Sequence, residues 1–310
     1  MTQPPRSCRD HVPLLCAVAA LAACGGGSTS PTPPEETASP GLIVRSDLGD
    51  PKGELYYIRK DGLMYLKLTN DTIHEDQPAV SPDGKKIAYL CEANNNADIC
   101  LMNIDGSNSV RLTQDTSFDG FPHWTPDGSQ ITFTSHRGHG DHGNDLWIMD
   151  TLGANQHPIT NGGDVAYEDG QFDPTGTRLV ASRQIDTLPN PDLVFVDAAT
   201  GNVTPFWQPY VFQELHPTWS PDGKRIAFTA TNGGSDFHVE VRDLTGGHPV
   251  YLHLISGTLN TPSWSPDGRE IAGACANLLV TSVCRFSPSG QMILDLPASP
   301  ISGFSPAWVP

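Results

Sequence analysis

One short segment comes back in six copies along the chain, and it constrains the fold more than any other feature. Ala79-Val80-Ser81-Pro82-Asp83-Gly84-Lys85-Lys86-Ile87-Ala88-Tyr89 returns as His123-Trp124-Thr125-Pro126-Asp127-Gly128-Ser129-Gln130-Ile131-Thr132-Phe133. It returns again at Thr218-Trp219-Ser220-Pro221-Asp222-Gly223 and at Ser263-Trp264-Ser265-Pro266-Asp267-Gly268. Gln171-Phe172-Asp173-Pro174-Thr175-Gly176 is a worn copy, and Ser305-Pro306-Ala307-Trp308-Val309-Pro310 is the front of a sixth. The aligned prolines at 82, 126, 174, 221, 266 and 310 are 44, 48, 47, 45 and 44 residues apart. A period of this length is that of a unit of four strands.

Each part of the unit has a physical task. Ser-Pro-Asp-Gly is turn chemistry: Pro presets φ, Asp bonds to nearby backbone, and Gly accepts positive φ. The alternation in Arg225-Ile226-Ala227-Phe228 reads as a strand leaving that turn. Trp124, Phe172, Trp219, Trp264 and Trp308, each two residues ahead of an aligned proline, are the large apolar bodies expected to pack between sheets. Later strands follow, such as Asp145-Leu146-Trp147-Ile148-Met149 and Val110-Arg111-Leu112-Thr113. Residues 41–69 match strands two, three and four of a unit that lacks its first strand, and Phe304 to Pro310 match a first strand with nothing after it. The fold class expected is therefore all-β, a six-bladed β-propeller over residues 41–310 in which the N- and C-terminal strands share one blade. Such closure leaves no open sheet edge. Gly 30 and Pro 28, with 17% charged residues, suit a turn-rich all-β chain.

The residues ahead of the repeats read as targeting and linker segments. Val12 to Ala23 is an apolar run too short to span a bilayer, behind Arg6 and Arg9. It ends Leu21-Ala22-Ala23-Cys24, which resembles the bacterial lipobox. That resemblance implies a lipoprotein signal peptide at 1–23, lipidation of Cys24, and a membrane held through acyl chains. An ordinary signal peptide cleaved in the Ala-rich stretch is the alternative. Gly25 to Pro40 has no aromatic residue and no hydrophobic period, so residues 24–40 read as a flexible tether spanning ~20 Å. Gly25 stands where a retention Asp follows the Cys in some lipoproteins, so the outer membrane is the expected destination by resemblance to known sorting.

Four cysteines besides Cys24 lie at matching places in two repeats. Cys91 and Cys100 are nine residues apart, and so are Cys275 and Cys284. An exported chain favours the bridges Cys91–Cys100 and Cys275–Cys284, each across one hairpin, with four buried thiols as the alternative.

The turns, the preceding aromatics and the Asp-Ile/Leu-x-x-Met strands resemble the TolB-like propeller repeat, a relative of the WD repeat found in the periplasmic TolB protein and other exported bacterial proteins. The resemblance covers residues 41–310. It implies the propeller fold and a cell-envelope location but no single function, since propellers host many unrelated ones. TolB carries a further N-terminal domain where this sequence has a tether, so a relative rather than an orthologue is expected.

Two groups of side chains are candidates for chemistry on the face opposite the Ser-Pro-Asp-Gly turns. Glu75, Asp76, Asp119, Glu168, Asp169 and Glu214 precede first strands in four successive repeats. They are expected either to ring a channel mouth and bind a cation or basic peptide, or to form a solvated acidic rim. His136, His139, Asp141 and His142 crowd a Gly-rich loop and have the donor types for a divalent metal, the one cofactor the sequence suggests. His123 and His216 begin two first strands near the channel, where core or hydrogen-bonded roles are expected. A formal charge of −17 argues against nucleic acid as a partner. No Gly-x-Ser-x-Gly elbow, His-Glu-x-x-His helix or phosphate loop occurs. The leading expectation is a monomeric, non-enzymatic scaffold that presents its channel mouth to an envelope protein or peptide. The rivals are a metal-dependent oligosaccharide lyase or hydrolase using top-face His and Asp residues, and a ligand- or metal-binding sensor.

Overall fold

The computed structural model describes residues 40–47, 52–138, 143–185, 190–206, 213–231, 236–254, 257–276, 281–296 and 304–310. Every regular element among them is a strand, and the strands form six antiparallel four-stranded sheets. Blade 1 joins the two ends of the repeat region: β24 (Phe304–Val309) lies innermost, followed by β1 (Gly41–Ser46), β2 (Glu54–Arg59) and β3 (Tyr65–Lys67). Blade 2 runs β4 (His74–Val80), β5 (Lys86–Ala93), β6 (Asn96–Asn103) and β7 (Val110–Arg111). Blade 3 runs β8 (Asp119–Trp124), β9 (Gln130–Ser135), β10 (Asp145–Asp150) and β11 (His157–Pro158). Blade 4 comprises β12 (Val165–Phe172), β13 (Arg178–Ile185), β14 (Asp192–Asp197) and β15 (Val203–Pro205). Blade 5 comprises β16 (Gln213–Trp219), β17 (Arg225–Thr231), β18 (His238–Asp243) and β19 (Val250–Leu252). Blade 6 comprises β20 (Thr258–Trp264), β21 (Ile271–Ala276), β22 (Thr281–Phe286) and β23 (Met292–Leu296). The inner strands touch in circular order, and β24 closes the ring against β4. This is the six-bladed propeller with a shared blade that the repeat predicts.

The core lies between the sheets. Ile43, Tyr57, Tyr89, Met102 and Val309 pack where blades 1 and 2 meet, and Leu146, Tyr167, Leu179 and Val194 where blades 3 and 4 meet. Full burial stabilises each such side chain by roughly 1.5–3 kcal/mol. Three of the tryptophans two residues ahead of an aligned proline also tie their blade to the one before. The Nε1 of Trp124 donates to the Ala79 carbonyl (3.0 Å), that of Trp219 to Gln171 (3.1 Å) and that of Trp308 to Ser263 (2.9 Å).

The Ser-Pro-Asp-Gly turns form a second, lower ring. In blade 2, Ser81 Oγ donates to Asp83 Oδ1 (2.7 Å) and accepts from the Lys86 amide (2.9 Å), which fixes the turn from within. Blades 5 and 6 repeat the hydroxyl–carboxylate bond at 2.6 Å. Gly223 has φ of +67°, and an added Cβ there would sit 3.4 Å from Pro174 of the preceding turn, so each turn leans on its neighbour.

Both disulfides are present, Cys91–Cys100 between β5 and β6 and Cys275–Cys284 between β21 and β22, each with Cα atoms 5.8 Å apart. They occupy the same place in blades 2 and 6, the two blades that flank the shared one.

Candidate functional site

Every inner strand is interrupted by a bulge. The ladder slips between Asp76 and Ala79, Gly120 and His123, Glu168 and Gln171, Leu215 and Thr218, and Asn260 and Ser263. In blade 1 the slip lies opposite Ile43 and Arg45. The first residue of each bulge has positive φ: Gln77, Phe121, Asp169, His216, Thr261 and Ser305, at +46° to +58°. None is glycine, and all but Asp169 precede proline. A residue before proline is pushed toward extended backbone, and a β-branched residue at positive φ, such as Thr261, is an outlier. Proline fits because the bulge already breaks the ladder, so its missing N–H leaves no hydrogen bond unmade. Such strain costs on the order of 1–3 kcal/mol per position and persists only where surrounding structure enforces it. A bulge re-aims its side chain, and here all six line one cavity of about 510 Å³ along the propeller axis.

Within that cavity blades 3, 4 and 5 each contribute one residue to a cluster. Asp169 sits at the centre, with Oδ1 bonded to His123 Nε2 (2.6 Å) and Oδ2 to His216 Nδ1 (3.0 Å). Its own backbone is held by blade 3. The Asp169 amide donates to Thr134 Oγ1 (3.1 Å), and the Thr132 hydroxyl donates to the Gly170 carbonyl (3.0 Å). Gly170 stands where the bulges of the other blades carry proline, and a Cβ there would come within 2.7 Å of the Leu146 side chain. Burial alone would raise the Asp169 pKa, but hydrogen bonds from His123 and His216, and their charge, hold it well below the usual carboxylate range. His216 shows the reciprocal effect. Burial would lower it, and the Asp169 hydrogen bond and charge, with the charges of Glu168 and Asp76, raise it. A carboxylate only accepts, so each ring donates to Asp169, leaving His123 Nδ1 and His216 Nε2 for a ligand. The Phe121 ring stands 6.1 Å from the His216 ring. Among the described residues no Lys or Arg lines the cavity.

The six acids do not share one environment. Asp76 and Asp169 line the cavity. Glu168 is partly buried, accepts from Asn144 Nδ2 (2.6 Å), and has its pKa raised by burial and by the Asp169 charge. Glu75, Asp119 and Glu214 are buried at blade junctions rather than around the mouth. Glu75 shares a hydrogen bond with the Thr69 hydroxyl oxygen, and burial pushes its pKa up to about 8. Asp119 pairs with Arg137. Glu214 accepts from the Leu193 amide (3.3 Å), and burial pushes it up to about 7. The reason is register. Glu75, Asp119 and Glu214 all lie seven residues ahead of an aligned proline, Asp76 and Glu168 six, and Asp169 five. Successive strand residues point to opposite faces.

Of the histidine loop, His136 is described. Its ring packs 4.9 Å from that of Phe118, and burial lowers its pKa. His139, Asp141 and His142 lie outside the described residues, as does Cys24. Among the described residues no three His, Cys, Asp or Glu side chains come together as a metal site.

Residues 64–267 match the TolB beta propeller domain. The crystal structure of TolB from Acinetobacter baumannii superposes with a TM-score of 0.74 at 23% identity, over 87% of this chain and 66% of that one. Putative TolB from Agrobacterium tumefaciens gives 0.67 at 14% identity, over 84% and 89%. Hydrazine synthase of Kuenenia stuttgartiensis gives 0.72 at 15% identity, over 87% and 46%. At these identities the likeness is one of fold. No curated protein matches the sequence. With two thirds of its length matched by that domain, bulged inner strands and turns included, the chain belongs to the TolB beta propeller family.

Proposed function

We propose that the protein is a cell-envelope lipoprotein whose propeller binds an envelope protein or peptide at the channel, without catalysing a reaction. The observation that carries this reading is the bulge ring: six rigid, strained side chains, one per blade, turned into a cavity of about 510 Å³. Rigid placement lowers the ordering cost of binding. The mixed lining suits a short segment that brings both apolar and hydrogen-bonding groups. Phe121, Trp124 and the prolines give apolar wall, while Asp76, Gln77, His123 and His216 give polar contacts. Lipidation at Cys24 and the tether at 24–40 fit a binding domain held just off a membrane.

The test is photo-cross-linking in cells from a reactive residue at Gln77 or Phe121, compared with one at Leu63 or Leu152 on the blade edges. A partner captured from the channel positions only, and lost on Asp169→Asn, supports the reading. Equal capture from all four positions, or none from the channel, overturns it. Incorporation of labelled fatty acid, abolished by Cys24→Ser, tests the anchor separately.

The second reading is an enzyme acting on an oligosaccharide, favoured by one observation. Asp169 fixes two imidazoles with one nitrogen of each left toward the cavity, the arrangement a general acid or base needs. Product formed by the purified protein and lost on His216→Gln would establish it.

A further inference from the structure

In blades 1, 2 and 3 the start of the third strand is tied to a threonine just beyond the fourth. Thr69 Oγ1 donates to Glu54 (2.9 Å), Thr113 to Asp98 (3.0 Å) and Thr160 to Asp145 (2.6 Å). These are register equivalents. Each lies two residues outward from a ladder pair: Tyr56↔Lys67, Cys100↔Arg111 and Trp147↔Pro158. In blade 5 the same step outward from Glu240↔Tyr251 lands on His238 opposite His253. Both members of the acid–threonine pair are therefore imidazoles there. The acid that follows in the next blade, Glu75 after blade 1 and Asp119 after blade 2, is Leu259 after blade 5.

The change discards a buried hydrogen bond and sets two nitrogen ligands side by side. The two rings stack with centroids 4.9 Å apart and planes 27° apart. Tyr251 stands against both, at 5.7 Å and 5.9 Å. His253 is exposed and His238 half-buried. A neutral imidazole keeps one ring nitrogen as a lone-pair donor, the form that ligates a metal ion. Directly opposed residues on antiparallel strands have Cβ atoms about 4.5–5.5 Å apart, so two imidazoles there reach one ion.

We infer that His238 and His253 form an open, two-histidine site for a divalent transition-metal ion, with water in the remaining positions. Paired neutral imidazoles favour Cu2+ over Ni2+ and Zn2+. Two protein ligands and an exposed rim make the ion exchangeable, a site for sensing or handing on metal rather than for holding the fold together.

The test is Cu2+ titration of the full-length protein, followed by electron paramagnetic resonance. The expected result is one ion with coupling to two imidazole nitrogens. His238→Asp and His253→Thr singly each weaken binding by about 10-fold or more. The double variant H238D/H253T restores the acid–threonine pair of blades 1 to 3, so it melts no lower than the parent while losing the ion. His123→Gln, in the channel, leaves Cu2+ binding unchanged. Retention of the two-nitrogen spectrum in the double variant, its loss in His123→Gln, or a parent spectrum with a single nitrogen each overturn the inference.

Discussion

The propeller carries a ring of six bulges and a ring of five turns, five residues apart in each repeat that has both, and they differ in what varies. In four of the five turns both backbone and side chains repeat: Ser or Thr, Pro, Asp, Gly, with the hydroxyl bonded to the carboxylate in blades 2, 3, 5 and 6. In the bulge ring the backbone repeats, with φ between +46° and +58°, but the side chains are Gln, Phe, Asp, His, Thr and Ser. A position whose conformation is fixed six times over while its chemistry differs six times over is placed by the fold and not needed by it. The turn ring holds the scaffold in shape, and the bulge ring uses that rigidity to hold strained side chains in a cavity.

Trp219 lies between the two rings on its strand, is 5% exposed, and bonds across to the preceding blade, so both rings depend on it. Trp219→Ala is expected to cost about 3–5 kcal/mol in denaturant unfolding. A loss under 1 kcal/mol would mean that the rings are held independently. Asp169→Asn comes next, at about 1.5–3 kcal/mol for its charged hydrogen bonds. Its pH dependence carries a sign. The depressed Asp169 contributes stability present above the ordinary Asp pKa and lost as pH falls through its folded value. The raised His216 contributes stability present below the ordinary His pKa and lost as pH rises through its folded value. The gap between parent and variant is therefore widest between about pH 4 and 6.5. A gap flat from pH 3 to 9 would show that the pair is not ionic.

Glu75→Gln tests a junction acid against the channel. The folded state holds the Glu75 proton to about pH 8, so stability falls as pH rises from the ordinary Glu pKa toward that value. The variant is expected to gain about 1–2 kcal/mol at pH 8 and nothing at pH 4, with channel ligation unchanged. The smallest effect is expected at Thr261, where Asn tolerates positive φ better: Thr261→Asn should gain about 1 kcal/mol. No gain would show that the bulge is relaxed, and the contrast between the rings would lose its energetic basis.

The repeat, the turns, the shared blade and both disulfide pairs were legible in the sequence because each depends on local chemistry at a fixed spacing. The channel cluster was not. His123, Asp169 and His216 are 46 and 47 residues apart and meet only after the ring closes. The acids that precede first strands fall in three registers, and only Asp76 of the middle one and Asp169 of the last line the cavity. A signal was present in the dipeptides Gln77-Pro78, Phe121-Pro122, His216-Pro217, Thr261-Pro262 and Ser305-Pro306, always five residues ahead of the turn proline. The worn copy in blade 4, whose Asp169-Gly170 breaks that pattern, supplies the carboxylate at the centre of the cluster.

The shared blade sets an order of events. β1 has no inner partner until β24 arrives, and β4 lacks one of its two inner-ring neighbours for as long. The pairing spans nearly the whole repeat region, so the slowest contact to form is also the one that completes the channel. During synthesis the other five blades precede the strand that completes the first, and the channel cavity closes only with residues 304–310. Premature termination anywhere ahead of β24 leaves an open-edged arc with no channel, which quality control can recognise by its unpaired strand.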